Sequence, residues 1–182
     1  MPTMNVGMNG REEKDGMALN SMQDLMTYKL QAIYDAENQA LQAYPQVMDA
    51  VSSPELKQAL QQHMEQTQGQ VQRLEQVFEQ MGQQPGGQTC TSMQGLIQEA
   101  QELIQQGGQP EVLDAAIIGA AQAIEHHEIA AYGTARTLAQ QAGMTEAAQL
   151  LEQTLNEEKQ TDQMLTELAE RNVNQKAKQA GQ

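Results

Sequence analysis

Five residues have the chemistry of metal ligands and interrupt the apolar faces of predicted helices. Each is a Glu or a His where the three-and-four spacing of a helix face calls for an aliphatic side chain, and each lies near the middle of its helix. The five residues are Glu37, His63, Glu125, Glu128 and Glu158. Glu125 and Glu128 are three residues apart, so they share one helix face. This pattern predicts that every long helix points a carboxylate or an imidazole into one core.

Carboxylates directed into a shared core predict a bound cation. Burying an unpaired carboxylate costs several kcal/mol, so several of them together require either a cation between them or extensive protonation. Carboxylates combined with imidazole suit iron or manganese. In some helical bundles, two such ions are held by inward Glu residues and Glu-x-x-His pairs. The sequence therefore favours a site for iron or manganese, with one or two ions.

The same residues also have a purely structural interpretation. A Glu within an amphipathic pattern usually lies at the edge of the core, where water reaches it, and a single His such as His63 is often a hydrogen-bonded core residue. Apolar stripes pass through both Glu157 and Glu158, so the sequence leaves open which of the two faces inward. The roles of His126 and His127 are open as well. Convergence from four helices is a stronger signal than any single residue.

The composition indicates that helices position these side chains. The chain has 182 residues, of which 39% are hydrophobic and only 3% aromatic, with no Trp, one Phe and four Tyr. A β-sandwich or barrel needs β-branched and aromatic residues to cover its faces. This chain instead abounds in Gln, Ala, Leu, Met and Glu, which favour helices. An all-β fold is excluded, and an all-α fold is predicted.

Turn and capping signals divide the chain into four long helices and one short helix. Long helices are predicted over about 21–51, 54–81, 110–141 and 146–171, and the short one over about 93–106. Thr91 and Thr145 are predicted to take part in capping the helices that follow them, and Pro45 is expected to kink or end the first helix. The predicted boundaries are a flexible N-terminal tail over 1–20, a helical bundle over 21–172 and a frayed C-terminal tail over 173–182.

The order of these helices predicts the architecture. A very short link after the first helix makes the first two long helices an antiparallel hairpin, and the last two form a second hairpin. A longer connection between the hairpins holds the short helix. One long crossover in the middle is the layout of ferritin-like bundles. The predicted fold is an all-α, ferritin-like four-helix bundle with a long crossover carrying a short extra helix.

Charge and cysteine content limit which binding partners and which cellular compartment are expected. Ten basic and 24 acidic residues give a net charge of −14. Such a surface repels phosphate backbones and anionic headgroups, so neither nucleic acid nor a membrane is an expected partner. Cys90 is the only cysteine, which excludes an intramolecular disulfide and indicates a reducing compartment. No apolar run approaches the roughly 20 residues that span a bilayer. We expect a cytoplasmic protein.

Five sequence motifs carry a resemblance to a known family. They are YDAENQ at 34–39, His63 with Thr67 followed by QVQRLE at 70–75, CTSMQGL at 90–96, EHHEIAAYG at 125–133 and EEKQTD at 157–162. Together, and in this order, they resemble the ferritin-like bacterial stress proteins of the YciE/YciF family, over about residues 21–170. The resemblance implies a bundle related to rubrerythrin, often dimeric, and a role in general and osmotic stress. It implies no firmly established activity.

Departures from the related patterns put the size of the metal site in doubt. The family commonly has Tyr where His127 stands, which makes His127 a candidate for an extra ligand or a proton shuttle. Rubrerythrin-like di-iron sites have a Glu three residues before the His of the second helix, where this chain has Leu60. They have a His three residues after the Glu of the fourth helix, where this chain has Thr161. One ion, or two loosely held ions, fits the sequence as well as a full pair does.

Three functions remain compatible with the sequence. The first is a metal-dependent oxidoreductase or a peroxide-consuming protein, and the second is an iron-binding or sequestering protein without turnover. The third is a metal-free stress protein that acts through dimerisation or a protein partner. We favour a metal-binding stress-response protein and leave open whether it is an enzyme. A homodimer is expected from the resemblance and from Ala pairs at 115–116 and 120–121, which allow helices to approach closely.

Overall fold

The computed structural model describes residues 18–181, and these residues form helices joined by short connections. The helices are α1 (Met22–Ala50), α2 (Pro54–Met81), α3 (Thr91–Gln106), α4 (Pro110–Gln141), α5 (Thr145–Leu168) and α6 (Asn174–Ala180), with one π-helical turn at Ala169–Val173. No strand occurs within the described range, so the all-α prediction is confirmed. Most of the predicted N-terminal tail, residues 1–17, lies outside the described residues.

Four helices form the bundle, and α3 lies against its outside. Helix α1 packs against α2 and α4, and α5 packs against the same two helices, so the four occupy the corners of a square. Helix α3 belongs to the crossover and packs against α1 and α4. This layout of two hairpins and a crossover helix confirms the predicted ferritin-like bundle. Within the described part of the chain, no helix is long and apolar enough to cross a membrane.

The two predicted caps, Thr91 and Thr145, are wrong, whereas serines cap α1 and α2. Ser21 Oγ accepts a hydrogen bond from the backbone of Asp24, and Ser53 caps α2 in the same way, as side-chain caps do. Thr91 and Thr145, however, are the first residues of α3 and α5 rather than their caps. The residue before each has a side chain that makes no capping bond. Contacts elsewhere in the fold therefore position these two helix starts.

The structure gives the ends of α1 and of the C-terminal helical segment. Pro45 lies inside α1, and the helix continues to Ala50, so the proline does not end it early. At the other end of the chain, helix continues through Ala180 instead of ending near residue 171. Val173 is only 2% exposed and packs, with Ala169, against the apolar core. These contacts hold the π-helical turn against the bundle, whereas no residue of α6 is buried, so the fraying predicted for 173–182 stays a prediction.

The bundle core consists of two main apolar clusters with a polar layer between them. The first cluster is built from the N-terminal halves of α1 and α5 and the C-terminal halves of α2 and α4. The second is built from the opposite halves and contains Leu56, Leu60, Ile117 and Leu165. Because the paired helices run antiparallel, the two clusters lie at opposite ends of the bundle. The middle of each long helix is left to contribute to the layer between them.

Candidate metal centre

All five predicted ligand residues are buried in the middle layer of the bundle. Four of them come together, and one ligand atom from each lies within 4.8 Å of the ligand atoms of the other three. These four residues, His63, Glu125, Glu128 and Glu158, are called the central cluster below. Glu37 is equally buried, with 1% exposure, but is not part of the group. Helices α2, α4 and α5 therefore supply the central cluster, and α1 supplies an additional carboxylate.

The two nitrogens of the His63 ring face different partners. Its Nε2 lies 2.9 Å from Glu125 Oε1 and 3.6 Å from Glu158 Oε2. Its Nδ1 lies 3.2 Å from Thr161 Oγ1 and 3.4 Å from Gln66 Oε1. When Nδ1–H donates to these oxygens, the Nε2 lone pair faces the carboxylates. This is the usual arrangement of a metal-binding histidine, whose second nitrogen is held by a hydrogen bond.

Three carboxylates of the layer have an oxygen without a hydrogen-bond donor. Within residues 18–181, Oε2 of Glu37, of Glu125 and of Glu158 is buried and has no partner. Leaving a buried acceptor unpaired costs about 1–3 kcal/mol, and native proteins rarely do so without a functional reason. A cation bound among these side chains would satisfy such oxygens directly. The donor set, four carboxylates and one imidazole, suits iron or manganese.

Burial raises the pKa of all four carboxyl groups. The pKa of Glu37 is raised to about 8, by burial and by the charge of Glu158. The pKa of Glu125 is likewise raised to about 8, by burial and by the charge of Glu37. The pKa values of Glu128 and Glu158 are raised well above the ordinary value, mainly by burial, with neighbouring carboxylates adding to the effect. Burial therefore favours the protonated form of these groups when no cation is present, and a bound metal would displace the protons.

Two neutral side chains hold carboxylates of the layer in place. The Tyr132 hydroxyl donates to Glu37 Oε1 at 2.5 Å, and Gln70 Nε2 donates to Glu158 Oε1. In both carboxylates the bonded oxygen is Oε1, and Oε2 is left free. The sequence motifs include Gln70, and Tyr132 shares the helix face of Glu125, but neither was predicted to support the site. Their spacing could have indicated this role, because Gln70 follows His63 and Tyr132 follows Glu125 by two helical turns on the same face.

The structure decides which of two adjacent glutamates faces the core. Glu158 is fully buried and belongs to the central cluster. Glu157 turns towards the surface, where Arg73 Nη2 donates to both of its oxygens, at 2.6 and 2.7 Å. Arg73 Nη1 also donates to Thr154 Oγ1 at 2.5 Å. Glu157 is thus part of an ion pair, and Glu158 is the inward carboxylate of α5.

The two histidines between Glu125 and Glu128 face away from the cluster. His126 is 69% exposed, and its Nε2 lies 3.3 Å from Asp162 Oδ1. His127 Nε2 lies 3.4 Å from Cys90 Sγ, and its pKa is lowered by burial and by the charge of Lys29. Successive helix residues differ by about 100° around the axis. Two inward residues three positions apart therefore place the residues between them on other faces. His127 is therefore not among the residues of the central cluster, and its other candidate role, that of a proton shuttle, stays untested.

The structure also explains the two positions that differ from rubrerythrin-like sites. Leu60, which stands in place of a Glu, is 4% exposed and packs in the second apolar cluster. Thr161, which stands in place of a His, is buried and contacts Nδ1 of His63 through its hydroxyl. One departure therefore extends the apolar core, and the other supports the single histidine. Thr161 therefore leaves the cluster with one imidazole, and Leu60 leaves it without a further carboxylate.

This fold and layer define a ferritin-like helical bundle with buried carboxylates and one buried imidazole at its centre. Residues 21–178 match the family described as a domain of unknown function, DUF892, and the chain belongs to this family. The protein YciF of Escherichia coli K12 is 45% identical over 162 residues, which are 88% of this chain and 98% of YciF. The resemblance to the YciE/YciF stress proteins is confirmed.

Solved structures agree with this assignment. The crystal structure of the E. coli stress protein YciF superposes with a TM-score of 0.82 at 45% identity, covering 85% of this chain and 98% of YciF. YcfI of Rhodopseudomonas palustris, for which a structural role has been suggested, gives 0.80 at 40% identity, covering 85% of this chain and 96% of that protein. A protein of Xanthomonas campestris gives 0.71 at 23% identity, covering 89% of this chain and all of that protein, and so supports the fold alone. The chain has a YciF-type fold over most of its length.

Proposed function

We propose that this protein binds iron or manganese at the central cluster and acts as a metal-dependent member of its stress-protein family. The observation that carries the proposal is the convergence of four buried ligand atoms within 4.8 Å, from three different helices. Buried carboxyl oxygens without a donor support it independently. A packed core has no structural need for such oxygens, because apolar side chains of similar volume are often at least as stabilising.

Each residue of the layer has a separate role in this proposal. His63 would provide Nε2, while Thr161 and Gln66 hold its other nitrogen. Glu125, Glu128 and Glu158 would provide carboxylate oxygens, which together with one imidazole are sufficient ligands for one ion. Glu37 would provide its free Oε2 to the same ion or to a second one. Hydrogen bonds to His63, Glu37 and Glu158 fix the orientation of these ligand side chains in the absence of an ion.

Handling of iron or of peroxide is the proposed use of the bound ion. Bound iron or manganese would supply redox chemistry at the central cluster. The protein contributes a buried setting and a set of carboxyl groups that release protons when a cation enters. The name of the similar protein YciF, a stress protein, fits a role in such handling. Whether turnover occurs is decided by measuring peroxide consumption by the metal-loaded protein.

Metal binding is tested by analysis and by titration. Protein purified without chelator should contain iron or manganese, and metal-free protein should bind Mn²⁺ in isothermal titration calorimetry. Glu128→Gln and Glu158→Gln should each weaken Mn²⁺ binding by more than about tenfold, because each removes a ligand charge. Glu167→Gln is the matched control, since Glu167 lies on the same helix as Glu158 and is 44% exposed. Equal binding by all four proteins, or no binding by any, would favour the metal-free alternative.

We also propose a homodimer, on the precedent that the family resemblance implies. The Ala pairs on α4 do not strengthen this proposal, because Ala115 and Ala121 pack against the second apolar cluster of the same chain. Light scattering should give a mass near twice 20.0 kDa. A monomer mass at micromolar concentration would contradict the dimer and leave the metal site unaffected.

A further inference from the structure

A small cavity lies next to the central cluster, beneath the crossover helix. Its volume is about 50 Å³. Ile97 and Ala100 of α3 form part of its wall, and Ala40 of α1, Leu60 of α2 and Ile124 of α4 form other parts. His63 and Glu125 also line it, so the cavity reaches two members of the central cluster. We call this space the α3 cavity.

The lining of the α3 cavity is almost entirely apolar. Its polar side chains are Tyr44, His63 and Glu125, and the remaining lining consists of Ala, Val, Leu and Ile. Both His63 nitrogens already face oxygen atoms, and Glu125 Oε1 faces one of them. A buried water requires two to four polar partners, whereas apolar cavities stay dry and take up apolar molecules such as xenon. The α3 cavity therefore suits a small uncharged ligand better than it suits water.

We propose, resting on the metal site proposed above, that the α3 cavity binds dioxygen beside the metal ligands. Dioxygen is apolar and diatomic, so it fits both the lining and the volume of the cavity. Hydrogen peroxide would lose hydrogen bonds to water that this lining does not replace. The proposal also gives α3 a role, because the crossover helix closes a space that the four bundle helices leave open.

The proposal is tested on metal-free protein, so that its result does not depend on loading. Crystals of the wild type placed under xenon should show one xenon atom in the α3 cavity. In solution, dissolved dioxygen is paramagnetic and should broaden the methyl signals of Ile97, Ile117 and Ile124. Leu30 and Leu151, which are 0% and 1% exposed in the first apolar cluster, provide the internal comparison. An absence of xenon from the cavity, or equal broadening at both places, overturns the proposal.

A matched pair of variants tests the position of the ligand. Ala121 lines the α3 cavity, whereas Ala123 is exposed on the same helix. Ala121→Leu should fill the space and abolish both the xenon site and the selective broadening, and Ala123→Leu should preserve both. Ala100→Leu on α3 should fill the cavity from another helix, and it replaces Ala121→Leu in this test if that variant does not fold. Xenon retained in the cavity of either filled variant contradicts the proposal.

Failure of the metal site can be told apart from failure of the gas cavity. Xenon binding without Mn²⁺ binding by the wild type supports the cavity and overturns the metal proposal on which dioxygen use depends. Mn²⁺ binding without xenon binding supports the proposed metal centre and contradicts the proposal that the α3 cavity binds dioxygen. The two measurements are independent, since xenon binding depends on the apolar lining of the α3 cavity and Mn²⁺ binding depends on the carboxylates of the central cluster.

Discussion

Asp114 and the carboxylates of the middle layer are buried to the same extent but have very different surroundings. Asp114 is 2% exposed. Its Oδ1 accepts from Ser52 N at 2.8 Å, and its Oδ2 accepts from Ser52 Oγ at 2.6 Å and Ser53 N at 2.9 Å. Glu125 and Glu158, by contrast, each retain a buried oxygen with no donor within the described residues. One carboxylate is fully hydrogen-bonded, and the others are not.

The difference follows from the backbone that surrounds each group. Asp114 faces the link between α1 and α2, where the N–H groups of Ser52 and Ser53 are not used by a helix. The carboxylates of the middle layer face the centres of helices, where the backbone N–H groups already bond within the helix. Burial alone therefore does not identify a candidate site. A buried carboxylate that lacks donors is a better indication of one, because a proton or a cation must satisfy it.

The largest expected effect is a pH dependence confined to the middle layer. The pKa values of Glu37 and Glu125 rise from 4.5 to about 8 on folding, so the folded protein binds more protons between these values. Their contribution to stability is fully present below pH 4.5 and is lost as pH rises through about 8. Denaturation of the metal-free protein should show that the free energy of unfolding falls as pH rises, by at most about 1.4 kcal/mol per pH unit for each extra proton that the folded state holds.

Matched variants show whether the slope comes from this layer. Glu37→Gln and Glu125→Gln each remove a titrating carboxyl group and should make the free energy of unfolding less dependent on pH. Glu167→Gln should leave the dependence nearly unchanged, because the Glu167 side chain is 44% exposed and its partner Arg171 is 77% exposed. A wild type whose stability is flat between pH 5 and 8 in the presence of EDTA would mean that these carboxylates are solvated or paired.

The next largest effect is expected at the hydrogen-bonded carboxylate. Asp114→Ala leaves the N–H groups of Ser52 and Ser53 without their acceptor and should lower the free energy of unfolding by about 3 kcal/mol. Urea denaturation followed by circular dichroism measures the loss. Asp49→Ala is the control, since Asp49 is exposed and its removal should change stability by less than about 0.5 kcal/mol. A loss of stability no larger than that of Asp49→Ala would contradict the contrast between hydrogen-bonded Asp114 and the carboxylates of the middle layer.

A substitution in the middle layer should act in the opposite direction when metal is absent. Glu125→Leu replaces a buried ionisable group by an apolar one and should stabilise the metal-free protein by about 1–2 kcal/mol. Mn²⁺ at a hundred times its dissociation constant should stabilise the wild type by about 2.7 kcal/mol and should not stabilise the variant. Thermal melts of both proteins with and without Mn²⁺ measure these shifts. A variant that melts lower than the wild type without metal, combined with a wild type that ignores Mn²⁺, would refute the metal site.

The smallest effect is expected at Glu37, whose carboxyl group accepts a hydrogen bond from the Tyr132 hydroxyl. Tyr132→Phe removes the donor to Glu37 Oε1 and should cost about 1 kcal/mol in the metal-free protein. Tyr28→Phe is the control, because Tyr28 is only half-buried. Chemical denaturation at pH 6 compares the two variants with the wild type. Equal stability of both variants would show that Glu37 does not depend on Tyr132.

Local patterns were sufficient to predict the helices and the burial of the five candidate ligands. A helix repeats every 3.6 residues, so a Glu on an apolar stripe is inward wherever the helix is packed. The same reasoning could not choose between Glu157 and Glu158, because stripes pass through both positions. Arg73, which comes from α2, decided the matter by pairing with Glu157. The contact joins residues far apart in the chain, and no local pattern encodes it.

The sequence by itself determined an all-α bundle with a crossover helix and a polar layer across its middle, because helix propensity, capping and periodicity act over a few residues. Only the tertiary structure decided that four of the five residues share one cluster while Glu37 lies beside it, outside the group within 4.8 Å. It also decided that His127 faces Cys90 and that α3 covers a cavity next to His63. Distances between helices depend on how side chains from several helices pack together, and that packing exists only once the chain has folded.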